Sequence, residues 1–195
     1  MLSDRDIRTA MAGGDITITG ADRLRLQPSS LDVCLDQTLL RPRANGFGAE
    51  DLYGDPIIYV DPKKPVNTAP YTIDEEDGWL LQPHEFLLGS TVEVVALSRF
   101  MVARIEGKSS LGRLGLLVHC TAGFIDAGFH GQVTLELYNA SDIAIKLYRG
   151  MPIAQLAFDW LDSAAENPYA GKYQGQQGPV ASRYYLNWDR ERGTW

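Results

Sequence analysis

From Trp79 to Trp160 the chain is written as short apolar runs separated by turn residues, and this pattern restricts the fold more than any other feature. The runs predict strands near 79–81, 85–91, 92–97, 101–106, 115–120, 131–138, 143–148 and 151–160. The separators include Gln82-Pro83-His84, Asp126-Ala127-Gly128, Asn139-Ala140-Ser141-Asp142 and Arg149-Gly150. Many short strands at this spacing predict mainly β structure, as an antiparallel barrel or sandwich. A brief helical turn is expected near 109–114.

Upstream the signals change. Ser3 with Asp6 three residues on reads as a helix N-cap with an acidic first turn, and Gly13-Gly14 ends the helix, giving one short helix over 4–12. Gln27-Pro28-Ser29-Ser30 is a turn, and 31–35 alternates as a half-buried strand does. Residues 41–56 and 61–78, broken by Pro62, Pro65, Pro70 and the acidic run 74–77, read as exposed loops around a short strand at 57–60. The tail, about 165–195, is glycine-rich and polar yet aromatic, a composition suited to a segment that closes over a ligand.

Length, charge and cysteine content bound the function. One hundred and ninety-five residues suit a single domain, 1–195. The charged N-terminus MLSDRDIRTAM lacks an apolar h-region, so no secretory signal is expected. With only Cys34 and Cys120, a reducing cytoplasm is the expected compartment. A net charge of −7 argues against nucleic acid as the main ligand, and no apolar run is long enough to span a membrane.

Chemistry concentrates in residues 106–136. Lys108, Ser109, Ser110 and Arg113 surround Gly107 and Gly112, a composition suited to gripping phosphate. Asp126 follows Arg113 by thirteen residues, and Glu136 follows after ten more, beside Thr134 and Leu135 in an apolar strand. Singly, each reads equally as a solvated surface group; clustered, they point to a small polyanion. A zinc nucleobase deaminase needs His-x-Glu and Pro-Cys-x-x-Cys, and the chain has neither. His84, His119 and His130 show no paired ligand spacing, and there is no P-loop or strand–GxGxxG–helix unit.

An ordered series of motifs resembles the dCTP deaminases of the dUTPase-like superfamily. It consists of LSDRDI (2–7), QPSSLDV (27–33), EGKSSLGRLG (106–115), TAGFID (121–126), TLE (134–136) and KYQGQQG (172–178). The resemblance spans nearly all of the chain except 41–78. It implies a dUTPase-like distorted β-barrel, a homotrimer with active sites between subunits, and zinc-independent deamination of dCTP. Glu136 matches the glutamate that activates water, and residues 108–113 (Lys108, Ser109, Ser110, Leu111, Gly112 and Arg113) match the triphosphate segment. Ser109 and Arg113 also help hold the water and the charge near the ring. Asp126 matches the residue that binds the deoxyribose 3′-hydroxyl. Thr134 and Leu135 contact base or sugar through their backbones, and Gln155 matches a further nucleotide contact. Tyr169, Lys172 and Gln176 match tail residues that fold over the phosphates, with Mg2+ carried by the triphosphate. The resemblance also implies dTTP as a feedback inhibitor, acting through a switch near His119 and Cys120.

Gly123 and Phe124 bear on the product. Their segment is close to the Ala-Gly-x-Ile-Asp motif of dUTPases, and bifunctional deaminases that release dUMP and diphosphate resemble this form. The expectation is that Gly123 leaves room for a second water, which Asp126 orients or deprotonates for in-line attack on phosphorus. Three alternatives stay open: a deaminase that releases dUTP, a dUTPase that has lost deamination, and a non-catalytic nucleotide-sensing trimer.

Overall fold

The computed structural model of the chain describes residues 1–50 and 54–194. Helix α1 (Asp4–Ala12) begins where expected. The Ser3 hydroxyl accepts the Asp6 N–H at 3.3 Å and donates to the Asp6 carboxylate at 2.8 Å, a reciprocal cap. Ile7 and Ala10 form its buried stripe.

The rest is mainly strand: β1 (Ile16–Thr19), β2 (Arg25–Gln27), β3 (Ser30–Cys34), β4 (Thr38–Arg43), β5 (Gly46–Glu50), β6 (Pro56–Tyr59) and β7 (Asn67–Thr72). Then come β8 (Trp79–Leu81), β9 (Phe86–Leu97), β10 (Met101–Gly107), the short helix α2 (Ser109–Gly112), β11 (Leu116–Leu117) and β12 (Phe124–Ile125). Last are β13 (His130–Asn139), β14 (Ile145–Leu147), β15 (Pro152–Trp160) and a 3-10 turn at Tyr184–Asn187.

Two sheets carry the fold. One runs β11-β13-β9-β4-β7, with β1 also paired to β9; the other runs β12-β10-β15-β3-β2. Their inner faces enclose one apolar cluster that includes Val33, Leu35, Leu135, Leu137, Ile105, Leu156 and Phe158. An antiparallel bridge between Leu35 and Thr91 joins the sheets along one seam, closing them into a distorted barrel.

Several expectations need correction. Residues 85–91 and 92–97 are one twelve-residue strand, β9. The predicted strand at 115–120 shrinks to two residues, because 118–123 leaves to form a loop. Residues 41–56 and 61–78 are not plain loops: β4 pairs with β7 over Thr38–Arg43, and β5 pairs with β6. Strand β3 is buried on both faces rather than one. Strands β1, β2 and β12 had no counterpart in the pattern. The tail is docked rather than loose: Gly131 and Gln176 form a parallel bridge, so the tail runs along the end of β13.

Candidate active site

Alternation along β13 sets the site. Val133, Leu135 and Leu137 point into the core, while Gln132, Thr134, Glu136 and Tyr138 are half-buried on the other face. Thr134 and Glu136 line a cavity of about 880 Å³, a volume typical of small-ligand sites. Asp126, Phe124, Tyr169, Lys172 and Gln176 line it too. Seven of the residues singled out in the sequence therefore meet in one place.

The 118–123 loop fixes Glu136. The Val118 carbonyl accepts the Glu136 N–H at 3.0 Å, and the Cys120 N–H donates to Glu136 Oε2 at 2.7 Å. Oε1 has no protein donor among the described residues. One oxygen is thus anchored and the other is available to a water. Burial, and then the Glu136 carboxylate, push the Cys120 thiol above its ordinary range. The Asp126 carboxylate follows β12, is exposed, and has no side-chain partner among the described residues.

Gly123 does not line the cavity. A Cβ there would sit 2.8 Å from the Ile105 carbonyl oxygen and 3.2 Å from the His119 ring. The Ile105 N–H also donates to the Gly123 carbonyl at 2.8 Å. Glycine at this position lets the loop lie against β10, so the expected vacant space is filled by protein.

The tail is tied to β13 by polar contacts that sequence reasoning missed. The Gln176 amide donates to the Gln132 carbonyl at 2.6 Å, and Gln174 both accepts the His130 N–H and donates to the Gly128 carbonyl. The Val180 N–H reaches Thr134 Oγ1 at 3.3 Å. At Gly131, φ is +153° and a Cβ would meet the Gln176 backbone at 2.9 Å, so only glycine allows this approach. The Tyr169 ring packs on Phe129, and Lys172 Nζ donates to Asn187 Oδ1 at 2.7 Å. Lys63, from the region without recognisable motifs, stacks its ammonium 3.8 Å from the Trp188 ring, and Pro42, Val60 and Val66 of that region line the cavity. No sequence signal marks these contacts, because all but the Lys172–Asn187 bond join segments far apart in the chain.

The other predicted residues lie elsewhere. None of residues 108–113, nor Gln155, lines the Glu136 cavity of its own chain. Ser109, Ser110 and Arg113 are exposed, without side-chain partners among the described residues. Lys108 is held by Asp32, and Gln155 Oε1 accepts the Ser30 hydroxyl at 3.4 Å. Leu135 is fully buried against the core, leaving only its backbone for a ligand. Among the described residues no group of three or more His, Cys, Asp and Glu is placed to hold a metal ion.

Comparison with known proteins fits this arrangement. Residues 1–161 match the model of the dCTP deaminase-like family. A protein of Corynebacterium kroppenstedtii named "dCTP deaminase, dUMP-forming" is 46% identical over 194 residues, covering 96% of this chain and 98% of its own. A protein of the same name from Thermobifida fusca is 46% identical over 197 residues, covering 98% and 96%. The crystal structure of a 2′-deoxycytidine 5′-triphosphate deaminase from Agrobacterium tumefaciens superposes with a TM-score of 0.60 at 24% identity, over 80% of this chain and 45% of that one; it attests the fold. With the family model covering most of its length, the chain belongs to the dCTP deaminase-like family.

Proposed function

We propose that the protein is a dCTP deaminase that forms dUMP, converting dCTP and two waters to dUMP, diphosphate and ammonia. The observation that carries this reading is the pairing of Glu136 and Asp126 on one cavity, Glu136 with one oxygen anchored by the Cys120 N–H. The full-length relatives named for this activity support the product assignment over release of dUTP.

In the first half-reaction Glu136 takes a proton from a water whose oxygen adds to C4 of cytosine, and the proton passes to N3. The new hydroxyl then gives up its proton through Glu136 to the amino group. Ammonia leaves and the carbonyl of uracil forms. In the second, Asp126 orients a water and takes its proton as the oxygen attacks the α-phosphorus in line and diphosphate departs. Asp126 also accepts the 3′-hydroxyl. The backbones of Thr134 and Leu135 contact base or sugar, Phe124 walls the cavity, and Tyr169, Lys172 and Gln176 bring the tail, 165–195, over the phosphates.

The chain acts as one domain in a cytoplasmic homotrimer. Residues 108–113, with Gln155, serve the Glu136 cavity of a neighbouring subunit, where Ser109 and Arg113 help hold the water and the developing charge. Magnesium enters with the triphosphate as part of the substrate. dTTP competes as an inhibitor, and the dUMP formed supplies thymidylate synthesis.

Product analysis tests the reading. Purified protein is incubated with dCTP and magnesium, nucleotides are resolved by anion exchange, and ammonia and diphosphate are assayed. The expected result is dUMP, diphosphate and ammonia together. Ammonia with dUTP and no diphosphate would overturn the dUMP assignment; nucleotide binding without ammonia would leave only a sensor.

A further inference from the structure

The tail meets β13 through more than a backbone bridge. Gln132 shares the face of β13 that carries Thr134 and Glu136, and its backbone N–H donates to the Gln176 carbonyl at 3.0 Å. Its side chain reaches two residues further along the tail, where Oε1 accepts the Gly178 N–H at 2.6 Å. The barrel holds that amide in one orientation. Nε2 donates to Asp36 Oδ2 at 3.0 Å and to the Thr91 carbonyl at 2.6 Å, so both of its protons are taken. With the NH2 group committed to the barrel, the carbonyl oxygen is the part left to face the tail.

Asp36 is itself fixed. It lies in the connection between β3 and β4, where its N–H donates to the Ser90 carbonyl at 2.9 Å and its Oδ1 accepts the Gln37 N–H at 2.7 Å. Oδ2 is thus the oxygen turned toward Gln132. A carboxylate accepting from an amide makes the stronger class of hydrogen bond, and an acceptor already aimed loses little entropy when the tail arrives. On the tail side Gly178 takes φ of +65°, the left-handed conformation that suits glycine, and Pro179 after it is buried. The contact lies between the two stretches of tail that wall the cavity. Gln176 precedes it, Val180, Ala181 and Ser182 follow it, and these four line the cavity, whereas Gln132, Asp36 and Gly178 do not.

We propose that Gln132 is a positioning residue: its amide, aimed by Asp36 and Thr91, holds the tail shut over the Glu136 cavity without touching the nucleotide. The proposal rests on the reading of the tail as the segment that closes over the substrate, and it deepens that reading. The closing force comes from β13 and the connection between β3 and β4 as well as from the nucleotide, so the tail is docked before substrate arrives.

The first measurement needs no turnover. Trypsin cleavage after Arg183, an exposed tail residue, is followed by mass spectrometry without nucleotide, with Tm recorded in parallel. Gln132→Leu keeps the bulk and removes all three side-chain bonds. It is expected to speed cleavage by about 10- to 100-fold at near wild-type Tm. With dCTP the same variant should raise KM about tenfold, because only a fraction of the free protein is closed, while kcat falls less than about threefold. An exchange of donor and acceptor supplies the rescue. Gln132→Glu sets two carboxylates against each other and should open the tail; adding Asp36→Asn returns an N–H donor to that contact and should recover part of the protection and of KM. Wild-type cleavage and KM in Gln132→Leu would overturn the proposal. So would a double variant as open as Gln132→Glu alone, or a loss of kcat and Tm with tail protection unchanged, the pattern of a merely structural residue. Should the Gln132 variants fail to fold, Asp36→Asn alone loosens the amide from outside the core. Faster cleavage then supports the proposal, and unchanged cleavage opposes it. Faster cleavage in Gln132→Leu, beside wild-type protein that releases no ammonia from dCTP, would uphold the hold on the tail and sink the functional reading instead.

Discussion

The two oxygens of Glu136 are not equivalent. Oε2 accepts the Cys120 N–H, and Oε1 is left for a water. In Glu136→Gln the amide oxygen can still take the Cys120 N–H, which turns an NH2 group toward the cavity. The variant should still bind dCTP, measured calorimetrically, while ammonia release falls by about 10²- to 10⁴-fold, the usual weight of a general base. Release near the wild-type rate would remove Glu136 from the role. The same substitution reports on Cys120, whose thiol is raised by burial and by Glu136. A raised thiol pKa keeps the thiolate scarce until higher pH, so removing the carboxylate charge should bring iodoacetamide labelling of Cys120 to lower pH. Cys34 should stay silent in both proteins, since burial, then Glu93, pushes its thiol up to about 11. An unmoved Cys120 profile would mean that Glu136 does not act on the thiol. At this scale Glu136 and Asp126 were legible because motif and residue type coincide. The Cys120 N–H was not, because a backbone donor has no residue signature.

Among the elements, the 118–123 loop and the tail decide whether the cavity is built. Gly123→Ala would place a methyl 2.8 Å from the Ile105 carbonyl oxygen and against the His119 ring. The loop must then lift from β10 and carry the Cys120 N–H away from Glu136. Deamination should fall on the order of 10²-fold, as a displacement of about 1 Å can cause. Ammonia assays on protein of checked Tm would decide it; a wild-type rate would show that the loop has slack. On the opposite wall, the Lys63 contact with Trp188 ties the connection between β6 and β7 to the tail. Lys63→Ala should raise KM for dCTP about two- to fivefold and leave kcat unchanged, since an exposed cation–π contact contributes about 0.5–1 kcal/mol. Unchanged KM and unchanged proteolysis of the tail would show that the contact is idle. The strands on this wall were misread because Pro70 looks like a breaker and 41–56 looks like an exposed loop. Pro70 is on β7, at the edge of its sheet, and Pro42 lies beyond Leu40, the position where β4 meets β9. Both prolines occupy places that leave a ladder partner unneeded, which only the assembled sheet reveals. The tail's composition pointed to a ligand site, and tail residues do line the cavity; its anchoring through Gln174 and Gln176 depended on where β13 ends.

At the scale of the whole molecule, the proposed function divides the site into two halves within one chain. Glu136, Asp126 and the tail share a cavity, while Ser109, Ser110 and Arg113 stand exposed and outside it, without side-chain partners among the described residues. Exposed hydroxyls and a guanidinium without side-chain partners among the described residues fit a site completed by another copy. The proposed trimer makes a prediction that no single-chain site can meet. Arg113→Ala and Glu136→Gln should each be nearly inactive alone, since each spoils every site in its own trimer. When the two chains are co-expressed in equal amounts, about a quarter of the sites combine an intact Glu136 from one chain with an intact Arg113 from its neighbour. Ammonia release should therefore return to about a quarter of the wild-type rate, in a species whose mass by light scattering is that of a trimer. A site built within one chain would yield only the residual rates of the two variants. Recovery thus locates the 109–113 turn and Glu136 on different subunits of one working site. Failure to recover, or a fully active monomer, would return both halves to one chain and require a rearrangement bringing Arg113 to the cavity.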